Sequence, residues 1–148
     1  MKEKEINLEK YQGKWWEIAK KPTIFQITCL SDTNANYTLK EDYVEVENKC
    51  KGLFGIPQSV KGKAFFSEKK NTLQVQFSPL QPKFDNYIVE WVDKDYQNTL
   101  VGSPTKTFLW FLSRNKKVSD KQMTKFRDIA ISKGYDLSNL QITKQSLS

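Results

Sequence analysis

Apolar and polar residues alternate with period two through the middle of the chain, segment after segment, which predicts half-buried β-strands. From Tyr43 to Cys50, Val44 and Val46 face one way and Glu45 and Glu47 the other. From Gln58 to Ser67, Val60, Gly62, Ala64 and Phe66 oppose Lys61 and Lys63. From Thr72 to Ser78, Leu73, Val75 and Phe77 oppose Gln74 and Gln76. From Asn86 to Asp93, Tyr87, Val89 and Trp91 oppose Glu90. Asn34 to Lys40 is weaker, with Ala35, Tyr37 and Leu39 on one face. Trp15 to Lys20, Asn98 to Gly102 and Thr107 to Ser113 complete about eight strands.

The connections alternate too. Lys40-Glu41-Asp42, Glu68-Lys69-Lys70-Asn71 and Asp93-Lys94-Asp95-Tyr96-Gln97 are short and polar. Between them come loops richer in Pro, Gly and apolar residues: Lys21 to Thr33, Lys51 to Pro57, Pro79 to Asp85 and the shorter Ser103 to Lys106. In an up-and-down meander successive loops fall at opposite ends. One end is then tied off by tight turns. The other is a mouth carrying Ile24, Phe25, Leu30, Leu53, Phe54, Ile56, Leu80 and Phe84. Eight such strands closed on themselves have no edges and can hold one small ligand.

The period then changes. Met123, Phe126, Ile129 and Ala130 recur at helical spacing, with Ser119 and Gln122 placed as a capping box and Gly134 as the stop. The stripe predicts a helix packed on the sheet. Leu137 to Thr143 can return as a short strand. The expected fold is all-β: an eight-stranded antiparallel up-and-down β-barrel with one C-terminal α-helix packed outside. One domain spans 1–148, with the barrel at 13–114, the helix at 119–133 and the tail strand at 137–143.

Composition narrows the function. At 148 residues with 38% hydrophobic and 13% aromatic residues, the chain has material for one packed core. No run approaches the roughly 18 apolar residues of a membrane helix. Met1 to Ile6 has basic residues but no apolar run behind them, so no secretory signal is expected there. That leaves an internal protein or a mature domain with an added Met. The net charge of +7 is compatible with nucleic acid, an anionic membrane surface or anionic small ligands. With no histidine, Ser-His-Asp and Cys-His catalysis are excluded, as is His metal ligation. Two cysteines cannot build a Cys-rich zinc site. No metal and no cofactor are expected.

Three stretches resemble the lipocalin family, within it the bacterial lipocalin and apolipoprotein D-like branch. Gly13-Lys14-Trp15-Trp16-Glu17-Ile18-Ala19 is similar to the family's Gly-x-Trp opening. Asp95-Tyr96, after Asp93, is similar to its Thr-Asp-Tyr motif with Lys94 in the first place. Leu109-Trp110-Phe111-Leu112-Ser113-Arg114 is similar to the strand that ends in the family's single Arg. Gly102-Ser103-Pro104 and Gly134-Tyr135-Asp136 also look like this branch, and the likeness runs from Leu8 to Thr143. It implies that Gly13, Trp15, Asp95, Tyr96 and Arg114 are structural, with the Arg114 guanidinium covering the Trp15 indole at the closed end.

Periodicity alone leaves open whether the inner faces enclose a cavity or fill it. The resemblance favours a cavity lined by Tyr37, Leu39, Val44, Val46, Ala64, Phe66, Leu73, Val75, Phe77, Tyr87, Val89 and Trp91, with room left by Gly62 and Ala64. Such a wall suits an acyl chain. Glu17 shares parity with Trp15 and would need a partner indoors: Tyr37, Tyr87, a ligand group or something local. The mouth is expected at Phe25, Phe54, Phe84, Lys21, Lys51 and Lys83, with Lys20, Lys49 and Lys106 nearby. A basic rim over an apolar well suits a fatty acid or lysophospholipid, although solvated lysines are common in so basic a chain.

The turn at Lys40-Glu41-Asp42 sets a register that brings Cys29 close to Cys50, within the roughly 7 Å a disulfide needs. The resembled branch often has cysteines here. A disulfide is expected, and it would favour an extracytoplasmic or secreted location; two reduced thiols in an internal protein are the alternative. The leading function is binding, transport or storage of a small hydrophobic or amphiphilic ligand, without catalysis, by a monomer or weak homodimer. A lipocalin-fold enzyme on a lipid-like substrate and a basic nucleic-acid-binding barrel compete with it. The second needs exposed aromatics among basic residues, whereas most strand aromatics here alternate inward. No nucleic-acid partner is therefore expected.

Overall fold

The strands form where the alternation places them. The computed structural model describes residues 5–21 and 29–146. Its barrel strands are β1 (Gly13–Lys20), β2 (Ser31–Leu39), β3 (Tyr43–Lys51), β4 (Pro57–Phe66), β5 (Thr72–Gln76), β6 (Tyr87–Val92), β7 (Asn98–Gly102) and β8 (Leu109–Ser113). Each pairs antiparallel with the next, and β1 pairs with both β2 and β8. The sheet therefore closes on itself as an eight-stranded barrel.

Two apolar clusters organise the packing. The inner one includes Trp15, Tyr37, Val44, Val46, Ala64, Leu73, Tyr87, Val89, Val101 and Leu112. The outer one lies between the barrel wall and α2 (Asp120–Ser132): Ile18, Ala19, Leu100, Leu109, Phe111, Phe126, Ala130 and Tyr135. The helical stripe does what its spacing predicts. Phe126 and Ala130 are buried, and Phe126 stacks on Phe111 with ring centroids 4.8 Å apart. Ser119 caps the helix by accepting from the Gln122 N–H at 3.0 Å, and Gly134 supplies the φ of 93° that ends it.

The tail strand β9 (Gln141–Ile142) pairs with Ala19 and Lys20 of β1. It is shorter than 137–143 because a turn occupies the stretch before it, with Ser138 N–H donating to Asp136 and Leu140 N–H to Leu137. The alternation gave no sign of α1 (Leu8–Tyr11), a single turn capped by the Asn7 side chain. It places Tyr11 under the closed end.

Candidate ligand cavity and its plugged base

The closed end is built around Trp15, which is fully buried. The Arg114 guanidinium lies over the indole, 3.7 Å from the ring centroid. Its fork donates to the carbonyls of Lys10, Tyr11, Gln12, Lys14 and Tyr96 at 2.9–3.2 Å. One side chain thereby ties α1, the start of β1 and the β6–β7 turn together. The Trp15 indole N–H donates to the Tyr11 carbonyl at 2.7 Å. In the β6–β7 turn the organising carboxylate is Asp93, which accepts from the Gln97 and Asn98 N–H groups and the Asn98 side chain. Asp95 is exposed, and Tyr96 takes the left-handed conformation at φ 54°. Gly13 opens β1 opposite Tyr37.

Above this base lies a cavity of about 900 Å³. Of the side chains expected to line it, Tyr37, Val46, Val75, Phe77 and Tyr87 do so. Leu39, Val44, Ala64, Leu73 and Val89 instead pack in the inner cluster and fill space without bordering the cavity. Phe66 closes β4 and is 46% exposed. Trp91 is on the other side of the wall. A bulge between Val89 and Trp91 shifts the β6–β7 register, reverses the facing of the strand and sends the indole edge-on to Phe126 at 6.0 Å. Nor does Gly62 leave room for a ligand: a side chain there would collide with the Phe77 ring, which already fills the space.

The pattern missed the opposite wall. Phe108, Trp110 and Leu112, with Val101 of β7, border the cavity. Leu109 and Phe111 of the same strand β8 are buried in the outer cluster. A strand covered on both faces reads as an unbroken apolar run, and the run erases the alternation that would have marked its inner face. The available signal was the helix expected to cover that strand.

Glu17 also faces the cavity and is 4% exposed. Its partner is neither tyrosine: the Thr143 hydroxyl donates to Oε2 at 2.8 Å. Burial raises its carboxyl above the ordinary value, opposed by that hydrogen bond and by Lys20. Thr143 belongs to a tail that completes the wall. β1 and β2 pair only between Gly13–Trp16 and Asn34–Tyr37. Beyond that, the Gln145 amide donates to the Glu17 carbonyl at 2.7 Å and the Thr33 carbonyl at 3.1 Å. Asp32 N–H donates to the Lys144 carbonyl, and Ser146 donates to the Asp32 carboxylate through both N–H and hydroxyl.

A family model described as a lipocalin-like domain matches residues 6–145. The chain belongs to the lipocalin family. It is 35% identical to temperature-induced lipocalin-1 of Arabidopsis thaliana, over 97% of this chain and 81% of that protein. It is 35% identical to apolipoprotein D of Mus musculus, over 95% of this chain and 78% of that one. Lobster apocrustacyanin A1 shares the fold at a TM-score of 0.76 with 13% identity, covering 95% of this chain and 80% of its own.

The mouth of this lipocalin differs from the sequence expectation. Ile24 and Phe25 lie outside the described residues. Phe84 lines the cavity, but Phe54 is 90% exposed and does not. Lys21 donates to the Asp136 carbonyl, Lys51 pairs with Asp32 at 3.8 Å, and Lys83 lies over the Phe65 ring at 3.8 Å. None of these three borders the cavity. Lys106 is held by Glu90 at 3.2 Å. Among the described residues, the lysines that do reach the cavity are Lys20 and Lys49. Cys29 and Cys50 form a disulfide, Cα atoms 5.6 Å apart, which joins the end of the long first loop to β3 and borders the cavity.

Proposed function

We propose that this lipocalin binds and carries or stores a small hydrophobic or amphiphilic molecule in its barrel, a fatty acid or lysophospholipid, and performs no covalent chemistry on it. The observation that carries this is the cavity of about 900 Å³, walled by Val46, Val75, Phe77, Val101, Trp110 and Leu112 over a plugged base. That volume is at the upper end for small-ligand sites, and a wall of this kind favours apolar burial. Lys20 and Lys49 at the cavity supply positive charge for an anionic head.

Three features support binding over catalysis. The chain has no histidine, its two cysteines are bonded, and the cavity tyrosines are held by burial well above their ordinary titration range. Phe54, Leu80, Leu53 and Ile56 are 90%, 94%, 61% and 57% exposed on mouth loops, which supports peripheral contact with an anionic membrane surface. The disulfide supports residence in an oxidising, extracytoplasmic compartment. We read the chain as a monomer or weak homodimer without a nucleic-acid partner.

The test is quenching of intrinsic tryptophan fluorescence by palmitate and, separately, by an oligonucleotide, at low and high salt. The reading expects palmitate alone to act, more weakly as salt rises. A response to oligonucleotide alone overturns it.

A further inference from the structure

Three tyrosine hydroxyls meet where the cavity ends. Tyr87 donates to Tyr37 at 2.9 Å. A phenol carries one proton, so in the 2.9 Å contact between Tyr11 and Tyr87 it is Tyr11 that donates. Thr99, 3.4 Å from Tyr11, gives its own proton to the Trp91 carbonyl. Every proton in this relay is then spent except that of Tyr37. It has no acceptor among the described residues. Yet Tyr37 is 5% exposed and borders the cavity, where an unmet donor is costly. Val46 is its register partner on β3, and Val75 and Leu112 also border the cavity.

We propose that Tyr37 is a specificity-determining donor at the floor of the cavity, and that the ligand is an apolar molecule with an oxygen acceptor, of the carbonyl class, at its buried end. The inference rests on the reading of the barrel as a ligand carrier and adds what the far end of the ligand must be. An unmet donor at the floor contributes little to affinity for a plain chain. It discriminates sharply in favour of a ligand that completes its hydrogen bond. Tyr87 cannot serve in its place, because its proton is committed to Tyr37. From Thr33 near the mouth to Tyr37 is four residues of β2, about 13 Å at the usual rise per residue, which matches a medium-length acyl chain.

The test titrates the protein with dodecanoate, 11-oxododecanoate and 11-hydroxydodecanoate, followed by tryptophan fluorescence. The oxo acid is expected to bind about tenfold tighter than dodecanoate. Tyr37→Phe should remove that preference. Equal affinity for the oxo acid and dodecanoate, or a preference for the hydroxy acid, overturns the proposal while leaving the carrier reading intact. Binding of none of the three defeats both. So that the result does not hang on how the variant folds, the ketone stretch of the bound oxo acid is also read by infrared difference spectroscopy on the wild type. It should lie below its position in hexane; a stretch at the hexane position overturns the donor assignment.

Discussion

Replacing Arg114 by Ala removes one side chain from the base and leaves the cavity wall untouched. The loss comprises five hydrogen bonds from a charged fork and the contact over Trp15. Hydrogen bonds to charged groups contribute about 1.5–3 kcal/mol each, but these share one half-buried guanidinium and water reaches the freed carbonyls. The cation–π contact adds about 1 kcal/mol. Because water replaces much of what the carbonyls lose, we take a net loss of about 4 kcal/mol, about half of the roughly 8.5 kcal/mol to which the low ends sum. For a chain this long each kcal/mol moves Tm by about 2–4 °C, so the drop should be about 10 °C. Arg114→Lys keeps a charge near the indole but loses the fork, and should recover less than half of the difference. The assay is thermal unfolding followed by circular dichroism, with fatty-acid titration below the transition. A Tm within about 2 °C of wild type would refute the reasoning, since Arg114 could then not be said to lock the base.

Asp32 should shape the acid limb of the stability curve. Burial pushes its carboxyl up, but the Ser146 N–H and hydroxyl, the Ser31 hydroxyl and Lys51 outweigh that and hold it at about 2. Because the folded value is depressed, its stabilisation is present above the unfolded value of about 4 and disappears as pH falls from about 4 to about 2. Urea unfolding of Asp32→Asn should show a flatter slope across that window. Glu17 has the opposite sign: its raised folded value means that wild-type stability falls as pH rises through it. Glu17→Gln should therefore raise Tm at pH 7, with the gain shrinking as pH approaches the unfolded value of about 4.3. Reducing the Cys29–Cys50 bond, which spans 21 positions, should lower stability by about 3 kcal/mol in urea titrations, and mass spectrometry with and without reductant reports the bond itself. Phe126→Ala should cost about 3–5 kcal/mol while leaving fatty-acid affinity intact, because Phe126 packs outside the barrel.

The barrel was legible because most of its strands have one covered face and one wet face, as β3 and β4 show in the run from Val44 to Phe66. Legibility failed where that asymmetry failed. The unbroken run Leu109 to Leu112 hid Trp110 and Leu112. The β6 bulge made parity at Trp91 point the wrong way, since a residue's facing follows its ladder and not its count along the chain. The plugged base was readable from Trp15 and Arg114 by resemblance. The five carbonyls that hold Arg114 were not, because backbone acceptors carry no sequence signature. The partner of Glu17 came from Thr143, at a distance along the chain that no local pattern spans.

The four tryptophans sample four environments, which makes them a direct test of where a ligand goes. Trp110 borders the cavity, Trp15 lies in the base, Trp91 faces α2, and Trp16 lies under Lys14 and Lys116. The decisive measurement is fluorine NMR of the chain labelled with 5-fluorotryptophan during a titration with palmitate. The Trp110 resonance should move and saturate with one bound ligand, while Trp16 and Trp91 stay in place. Movement of Trp91 or Trp16 with Trp110 unmoved would place the ligand outside the barrel and contradict it.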